Sequence, residues 1–379
     1  MLSTQRIVSL LIGFLFLSSE TRIPDEGRSY FNEPFNLSQV DSITKFFVNF
    51  NDTIPNDTLY FCFSKGAPVA VYRDILSGVC LDGECRPLRI KVYWSVTGRY
   101  LGYQLNDGQE LTKKEHTPFK EAEYQLLHNL LNDSLSVLAN FTLEEITPKR
   151  DPSVKTDGIS GATPPNISSY IVPEAAYTTH TLWHLVYSET RDSINLKMNS
   201  FITPGLLDSL LNSSSDFDKL WALNHLPRNI DFVHYYFPAM QRILNGNNIP
   251  AIDKALTLIA ANSDSLYQQE LFALSQKDNY SIKLLALDRL RSLRSLRPEI
   301  ARKMINSILQ AQPEVANSFL LALEKYNPSE EDMRKISNLL TDKSDQVALN
   351  AYLYLLRVPG KSKWIEKQLK KFERKKMKI

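Results

Sequence analysis

Between Phe61 and Leu105, apolar residues fall in short runs divided by turn residues, which is how strands are written in a sequence. Pro68-Val69-Ala70-Val71-Tyr72 and Leu88-Arg89-Ile90-Lys91-Val92-Tyr93-Trp94 are rich in β-branched and aromatic side chains, which suit a pleated, half-buried surface. The second run alternates polar and apolar positions, so one face of it is expected against a core. Thr97-Gly98 predicts a turn, residues 100–105 a return strand, and Asn106-Asp107-Gly108 the close of that hairpin. The period then changes. From Pro118 the apolar residues Phe119, Tyr124, Leu127, Leu130 and Leu131 follow helical spacing, with Lys120-Glu121-Ala122-Glu123 near the start. A polar, proline-containing stretch at 147–156 leads to a run of small residues, and Pro164-Pro165 forces an extended exit. A further helix is expected from Pro173, a residue tolerated in a first turn, with Ala176, Leu182, Leu185 and Val186 on its apolar side.

Beyond Asn199 the pattern is helical almost throughout. Residues 217–226, 251–259, 281–290 and 345–355 are similar units, several of which place Ala-Leu on one face and Leu a turn later. Breakers stand between them, among them Gly246-Asn247-Asn248-Ile249-Pro250, Asn327-Pro328 and Pro359-Gly360. The period is irregular, roughly 30 to 40 residues, and suits stacked helical hairpins of HEAT or armadillo type. A plain helical bundle is the simpler alternative. The expected fold class is α+β. A small sheet-plus-helix domain at 58–198 is followed by an all-α helical repeat domain at 199–379, and residues 20–57 form an N-terminal extension.

The first residues change the picture of where the chain works. Arg6 precedes an apolar run from Ile7 to Leu17, and Ser18, Ser19 and Glu20 follow. That run is shorter than the roughly 20 apolar residues a transmembrane helix needs. It reads as a signal peptide at 1–19, so the protein is expected to be exported, periplasmic or otherwise extracytoplasmic, without an integral membrane span once mature. A retained anchor is the alternative. Eight Asn-x-Ser/Thr sequons, at Asn36, Asn51, Asn56, Asn132, Asn140, Asn166, Asn212 and Asn279, matter only on a eukaryotic secretory route.

A formal net charge of +2 exerts no global pull toward nucleic acid, and no nucleic-acid partner is expected. The one strongly basic stretch, 367–378, reads as a solvated helix end, with a phosphate surface, an anionic membrane (as in association with a membrane complex) or an acidic partner as the alternatives. With three cysteines in a long exported chain, the fold is stabilised by its core rather than by disulfides. Cys80 and Cys85 bracket an Asp82-Gly83 turn, and a disulfide across it is sterically reasonable. Two free thiols, or a redox or metal role, stay open. No nucleophile elbow, paired zinc motif or P-loop is present, so hydrolase chemistry finds no support.

The chemistry gathers in Asp157-Gly158-Ile159-Ser160-Gly161-Ala162-Thr163. At average residue usage, Asp-x-x-Ser-Gly-Ala-Thr arises by chance in fewer than roughly one chain in a thousand. The run resembles the attachment signature of the FMN-binding domain family, found in flavin subunits of sodium-translocating NADH:quinone reductase. In that family a flavin transferase moves the FMN moiety of FAD onto the threonine hydroxyl as a phosphoester. The resemblance implies FMN held covalently on Thr163, over a domain spanning about Thr58 to Ser188. The residue types fit this role. Thr163 offers an uncharged hydroxyl, and Gly161 and Ala162 leave room for a bulky transferase. Ser160 can donate to a phosphate oxygen, while Asp157 shapes the turn or helps organise a metal in the transferase complex. Family members run from this motif straight into a helix, whereas here Pro164-Pro165-Asn166 intervenes.

Downstream, Tyr177 and Trp183 are candidates to pack on the flavin ring, since aromatics shield it from water. Ordinary core packing is the competing role. His180 and His184, four apart on one helical face, could bind a metal or touch the flavin. Lys113 or Lys114 could approach its phosphate. The expected function is that of an electron-transfer module docked to unidentified redox partner proteins through the helical domain, an electron carrier in preference to a stand-alone enzyme, with the second left open. The alternative is a scaffold that has kept the fold and lost the cofactor.

Overall fold

In the computed structural model of the chain, the described residues are 27–50, 56–77, 87–113, 116–147, 167–226 and 232–376. The predicted signal peptide, Cys80 and Cys85, Lys114 and the whole of 157–163 lie outside them. The chain divides into two compact units between Thr203 and Pro204.

The first unit is built on a six-stranded antiparallel sheet. Its strands are β1 (Ser29–Phe31), β2 (Ser42–Phe47), β3 (Thr58–Ser64), β4 (Ala67–Ser77), β5 (Leu88–Trp94) and β6 (Tyr100–Leu105). The spatial order is β1-β6-β5-β4-β3-β2. The expected strands at 88–94 and 100–105 are β5 and β6. The expected strand at 68–72 is part of a longer β4. Residues read as an N-terminal extension supply both edges of the sheet, β1 and β2. The edge β1 comes very close to β6. A Cβ on Gly102 would lie 2.1 Å from the Tyr30 carbonyl oxygen, so only glycine allows this pairing.

Register puts Val71 beside Trp94 and Ile75 beside Ile90 on one face, all fully buried. That face meets two helices, α1 (Glu121–Asn132) and, after the short α2 (Leu143–Ile146), α3 (Ala176–Val186). The polar tips of its aromatic residues end on helix carbonyls. Trp94 Nε1 donates to Val186 at 2.9 Å, and Tyr103 Oη donates to Tyr124 at 3.0 Å. Each ring thus buries its apolar body and keeps one hydrogen bond. The opposite face gathers Cys62, Ala70, Tyr72, Tyr93 and Leu101 under Phe31, Phe35, Leu37 and Val40 of the N-terminal strap. Cys62 is a free, buried thiol.

Both expected helices start later than their prolines suggest. Pro118 pairs with Thr112 in an isolated bridge, and Phe119 N donates to Leu111 O, which holds this stretch extended until Lys120. Glu123 then accepts from Lys120 N at 2.6 Å and starts α1. Pro173 is not in the first turn of α3. Glu174 has φ of 62°, a left-handed backbone that no helix can include, so the helix starts at Ala176. The unit closes with α4 (Thr190–Met198).

The second unit is helical among its described residues. It runs from α5 (Pro204–Leu211), α6 (Asp216–His225), α7 (Phe232–Leu244) and α8 (Ile249–Asn262) through α9 (Asp264–Ser275), α10 (Tyr280–Arg291) and α11 (Pro298–Ser307). It ends with α12 (Pro313–Leu323), α13 (Glu330–Ser337), α14 (Asp345–Arg357) and α15 (Lys363–Lys376). The helices form two rows. In one row α6, α8, α10, α12 and α14 stack in turn; in the other, α9, α11, α13 and α15 do, as do α5 and α7. Amphipathic sequence explains the stack. In α12 the residues Val315, Ala316, Phe319, Leu320 and Leu323 are buried, a stripe wide enough to be covered from two sides. The breakers do their work through caps: Asn248 and Asn279 accept from Ala251 N and Ile282 N at 2.9 and 3.2 Å. Polar ties join successive hairpins, such as Arg289 to Asp253 at 2.6 Å and Asn350 to Asn317 at 2.9 Å.

Candidate functional site

The run at 157–163 falls between α2 and α3 in the sequence and lies outside the described residues, whose flanking segments are packed as follows. On the way in, α2 is capped by Thr142, which accepts from Glu145 N, and Ile146 is buried. Thr147 Oγ1 then donates back to Leu143 O at 2.6 Å. On the way out, Ile167, Ile171, Val172 and Ala175 are all buried, and Thr179 Oγ1 ties the turn by accepting from Val172 N at 3.2 Å. α2 packs on α3.

Tyr177 and Trp183, the two aromatics expected against the flavin ring, are both described. They do not share a face: six helical positions separate them by about 120° around the axis. Tyr177 is half-exposed in the first turn of α3. Trp183 is buried, 4% exposed, with its Nε1 donating to Asp133 O at 2.9 Å. Its ring lies 5.1 Å from His184, edge-on, and 4.6 Å from Tyr187. Its indole therefore clamps α3 to the end of α1.

His180 and His184 stand with their rings 4.1 Å apart. Each directs Nε2 to a backbone oxygen, Phe141 O at 2.8 Å and Leu138 O at 3.1 Å, so in neutral form each carries its proton on Nε2. Burial lowers the His180 pKa, the Phe141 carbonyl opposes that, and His184 adds to the lowering. The pair staples α3 to the segment that enters α2. No group of three or more His, Cys, Asp or Glu side chains suited to a metal occurs among the described residues. Lys113 Nζ lies 2.9 Å from Glu123 and 3.6 Å from Glu174. Its charge is matched by these two carboxylates, which raise its pKa and bind residue 113 to both α1 and the turn before α3.

One residue that strand spacing alone did not single out is Arg73, fully buried in β4. It occupies a core position between Val71 and Ile75. Its Nε donates to Asn56 O at 3.0 Å, its Nη1 to Thr190 Oγ1 at 3.3 Å, and its guanidinium lies 3.8 Å from the Phe50 ring centroid. It fastens the sheet to the start of α4. A polar residue on the apolar phase of a strand was the available signal.

No family model matches the chain, and no curated protein matches it. No helix among the described residues is long and apolar enough to cross a membrane.

Proposed function

We propose that the chain is an exported electron-transfer flavoprotein, with FMN joined through a phosphoester to Thr163. The observation that carries this reading is the Asp-x-x-Ser-Gly-Ala-Thr run at 157–163, with its specific spacing. The nearest buried residues on either side of it are Ile146 and Ile167, which tie the flanking segments to the core. In the attachment step the Thr163 oxygen bonds to the FMN-side phosphorus of FAD, the pyrophosphate bridge breaks and AMP leaves. The hydroxyl proton passes to a base of the transferase. Flavin, once attached, supplies one- and two-electron carriage. Ser160 would then donate to a phosphate oxygen, with Gly161 and Ala162 leaving the approach open and Asp157 holding the turn. Of the other side chains considered, half-exposed Tyr177 fits a place against the ring better than Trp183 does. The two-row helical unit, read as a HEAT- or armadillo-like array, would dock the redox partners.

The buried setting of Trp183 and the paired charge of Lys113 favour a second reading, a cofactor-free scaffold that binds through its helices. Coexpression with a flavin transferase separates the two. The expected result is an intact mass raised by one FMN less water and a yellow chromophore that survives denaturing precipitation. Thr163→Ala should remove both. An unmodified chain beside a working transferase control would overturn the flavin reading.

A further inference from the structure

The helix α15 packs on α13 and α14 and buries Ile365, Leu369 and Phe372, which fixes the side that it turns to solvent. It carries seven Lys and Arg residues against two Glu. At roughly 100° per residue, Lys363, Lys367, Lys370, Lys371 and Arg374 fall within an arc of about 100°, centred opposite the buried side chains. All five are exposed. They form one row about 16 Å long, from the first turn of the helix to the last. Neighbours in it stand three or four positions apart, a spacing at which like charges destabilise a helix, so an anion that met the row would relieve it.

The carboxylates near enough to neutralise the row are turned elsewhere. Glu330 of α13 accepts from Ser362 and Arg334, and Glu331 meets Lys335. Asp345 of α14 meets Lys376, and Glu373 accepts from Tyr352 at 2.7 Å. Glu366 lies on the flank, and none of the five cations has a hydrogen-bonded or ion-paired partner among the described residues. The residue types favour a plane of anions over one anionic group. Four of the five are lysines, point charges without the planar fork by which arginine grips a single carboxylate. Trp364, 40% exposed with the Arg334 guanidinium 5.1 Å from its ring centroid, stands at the border of the row. An exposed tryptophan beside a row of lysines suits the headgroup layer of a membrane.

We propose that α15 docks the protein on an anionic membrane surface, its cationic row lying along phospholipid headgroups and Trp364 at their level. The apolar side of the helix stays packed in the fold, so the attraction is electrostatic and the helix does not insert. Each cation held near such a surface raises partitioning roughly fivefold. The proposal goes beyond the flavin reading and does not depend on it.

Flotation of the full chain with vesicles tests this, one set of two parts phosphatidylcholine to one part phosphatidylglycerol, the other of phosphatidylcholine alone. Salt-sensitive binding is expected on the anionic set only. Ionic strength raised from about 0.1 M to about 1 M, which cuts the Debye length from about 10 to about 3 Å, should release it. Any contribution of the apolar run at 7–17 would be common to both sets and would survive salt. Joint replacement Lys367→Gln, Lys370→Gln and Lys371→Gln should weaken binding about 100-fold, the loss of three such charges, with far-UV circular dichroism unchanged. The same loss of charge at Lys65, Lys283 and Lys303, on other elements, should change it little. Tryptophan emission should shift to the blue on anionic vesicles and cease to do so in Trp364→Phe, since Trp94, Trp183 and Trp221 are buried. Thr163→Ala should bind as wild type does, which keeps a failure here distinct from a failure of flavin attachment. Equal weakening by the two triple replacements would make net charge the cause and overturn the proposal, as would a blue shift that persists in Trp364→Phe. Absence of binding to the anionic vesicles would overturn it too, and salt-sensitive capture by polyglutamate in its place would assign the row to an acidic protein.

Discussion

Replacing Trp183 tests whether that ring serves the core or a cofactor. The indole is 4% exposed, hydrogen-bonded to Asp133 O, and flanked by His184 and Tyr187. Trp183→Phe keeps most of the apolar volume and loses the N–H bond. Asp133 is exposed, so water can take over its carbonyl, and the cost should be about 1–2 kcal/mol. Trp183→Ala also empties the space between α1 and α3 and should cost about 3–5 kcal/mol. For a unit of this size that larger loss lowers Tm by on the order of 10 °C. Differential scanning calorimetry of the full chain measures both variants, with the transition of the first unit followed separately from that of the helical unit, because the two need not unfold together. Urea titration should show a lower midpoint with an unchanged slope. If Trp183→Ala left stability intact and instead altered flavin fluorescence in transferase-treated protein, the core assignment would be wrong and the ring would belong to the cofactor.

Two further outcomes follow from the hydrogen-bonded groups. Burial depresses the folded-state pKa of both His180 and His128, so their contribution to stability is fully present above the unfolded value of about 6.5 and is lost as pH falls through the folded values. Tm should therefore drop on acidification from about pH 7.5 to about pH 5, and His180→Gln should drop less; parallel profiles would refute the assignment for His180. In the helical unit, Ser329 caps α13 by accepting from Asp332 N at 3.2 Å while its own hydroxyl donates to Asp332 Oδ2 at 2.8 Å. Ser329→Ala should cost about 1–2 kcal/mol in chemical denaturation, and a change below a few tenths would show the cap to be idle.

The strand β5 is legible because one of its faces lies on the core, so its alternation is written in adjacent letters, whereas β6 is buried throughout and is legible only from the turns that flank it. Arg73 is not legible. Its acceptors are Asn56 O and Thr190 Oγ1, and the second is more than a hundred positions away, so nothing local says that this cation can be buried in β4. The edge strands are not written locally for a related reason: Phe47 in β2 is 81% exposed, and an edge that leaves a large ring in solvent lacks the alternation of a half-buried strand. Proline marks a helix start poorly where the backbone next to it is left-handed, as at Glu174. The helical content of the second unit is legible because its apolar positions recur at helical spacing between breakers.

The same limit applies to single residues of one type. Tyr352 and Tyr354 lie two positions apart in α14, in a sequence that treats them alike, and both are buried. Tyr352 Oη donates to Glu373 of α15 at 2.7 Å. Tyr354 Oη is buried and meets no acceptor among the described residues. The pair is therefore an internal control. Tyr352→Phe should destabilise the end of the helical unit by about 1 kcal/mol, because its hydroxyl is paired within the fold. Tyr354→Phe removes a buried oxygen that has no partner among the described residues and should leave stability unchanged or raise it, measured by chemical denaturation. If both variants lowered the midpoint equally, the two hydroxyls would be doing the same structural work.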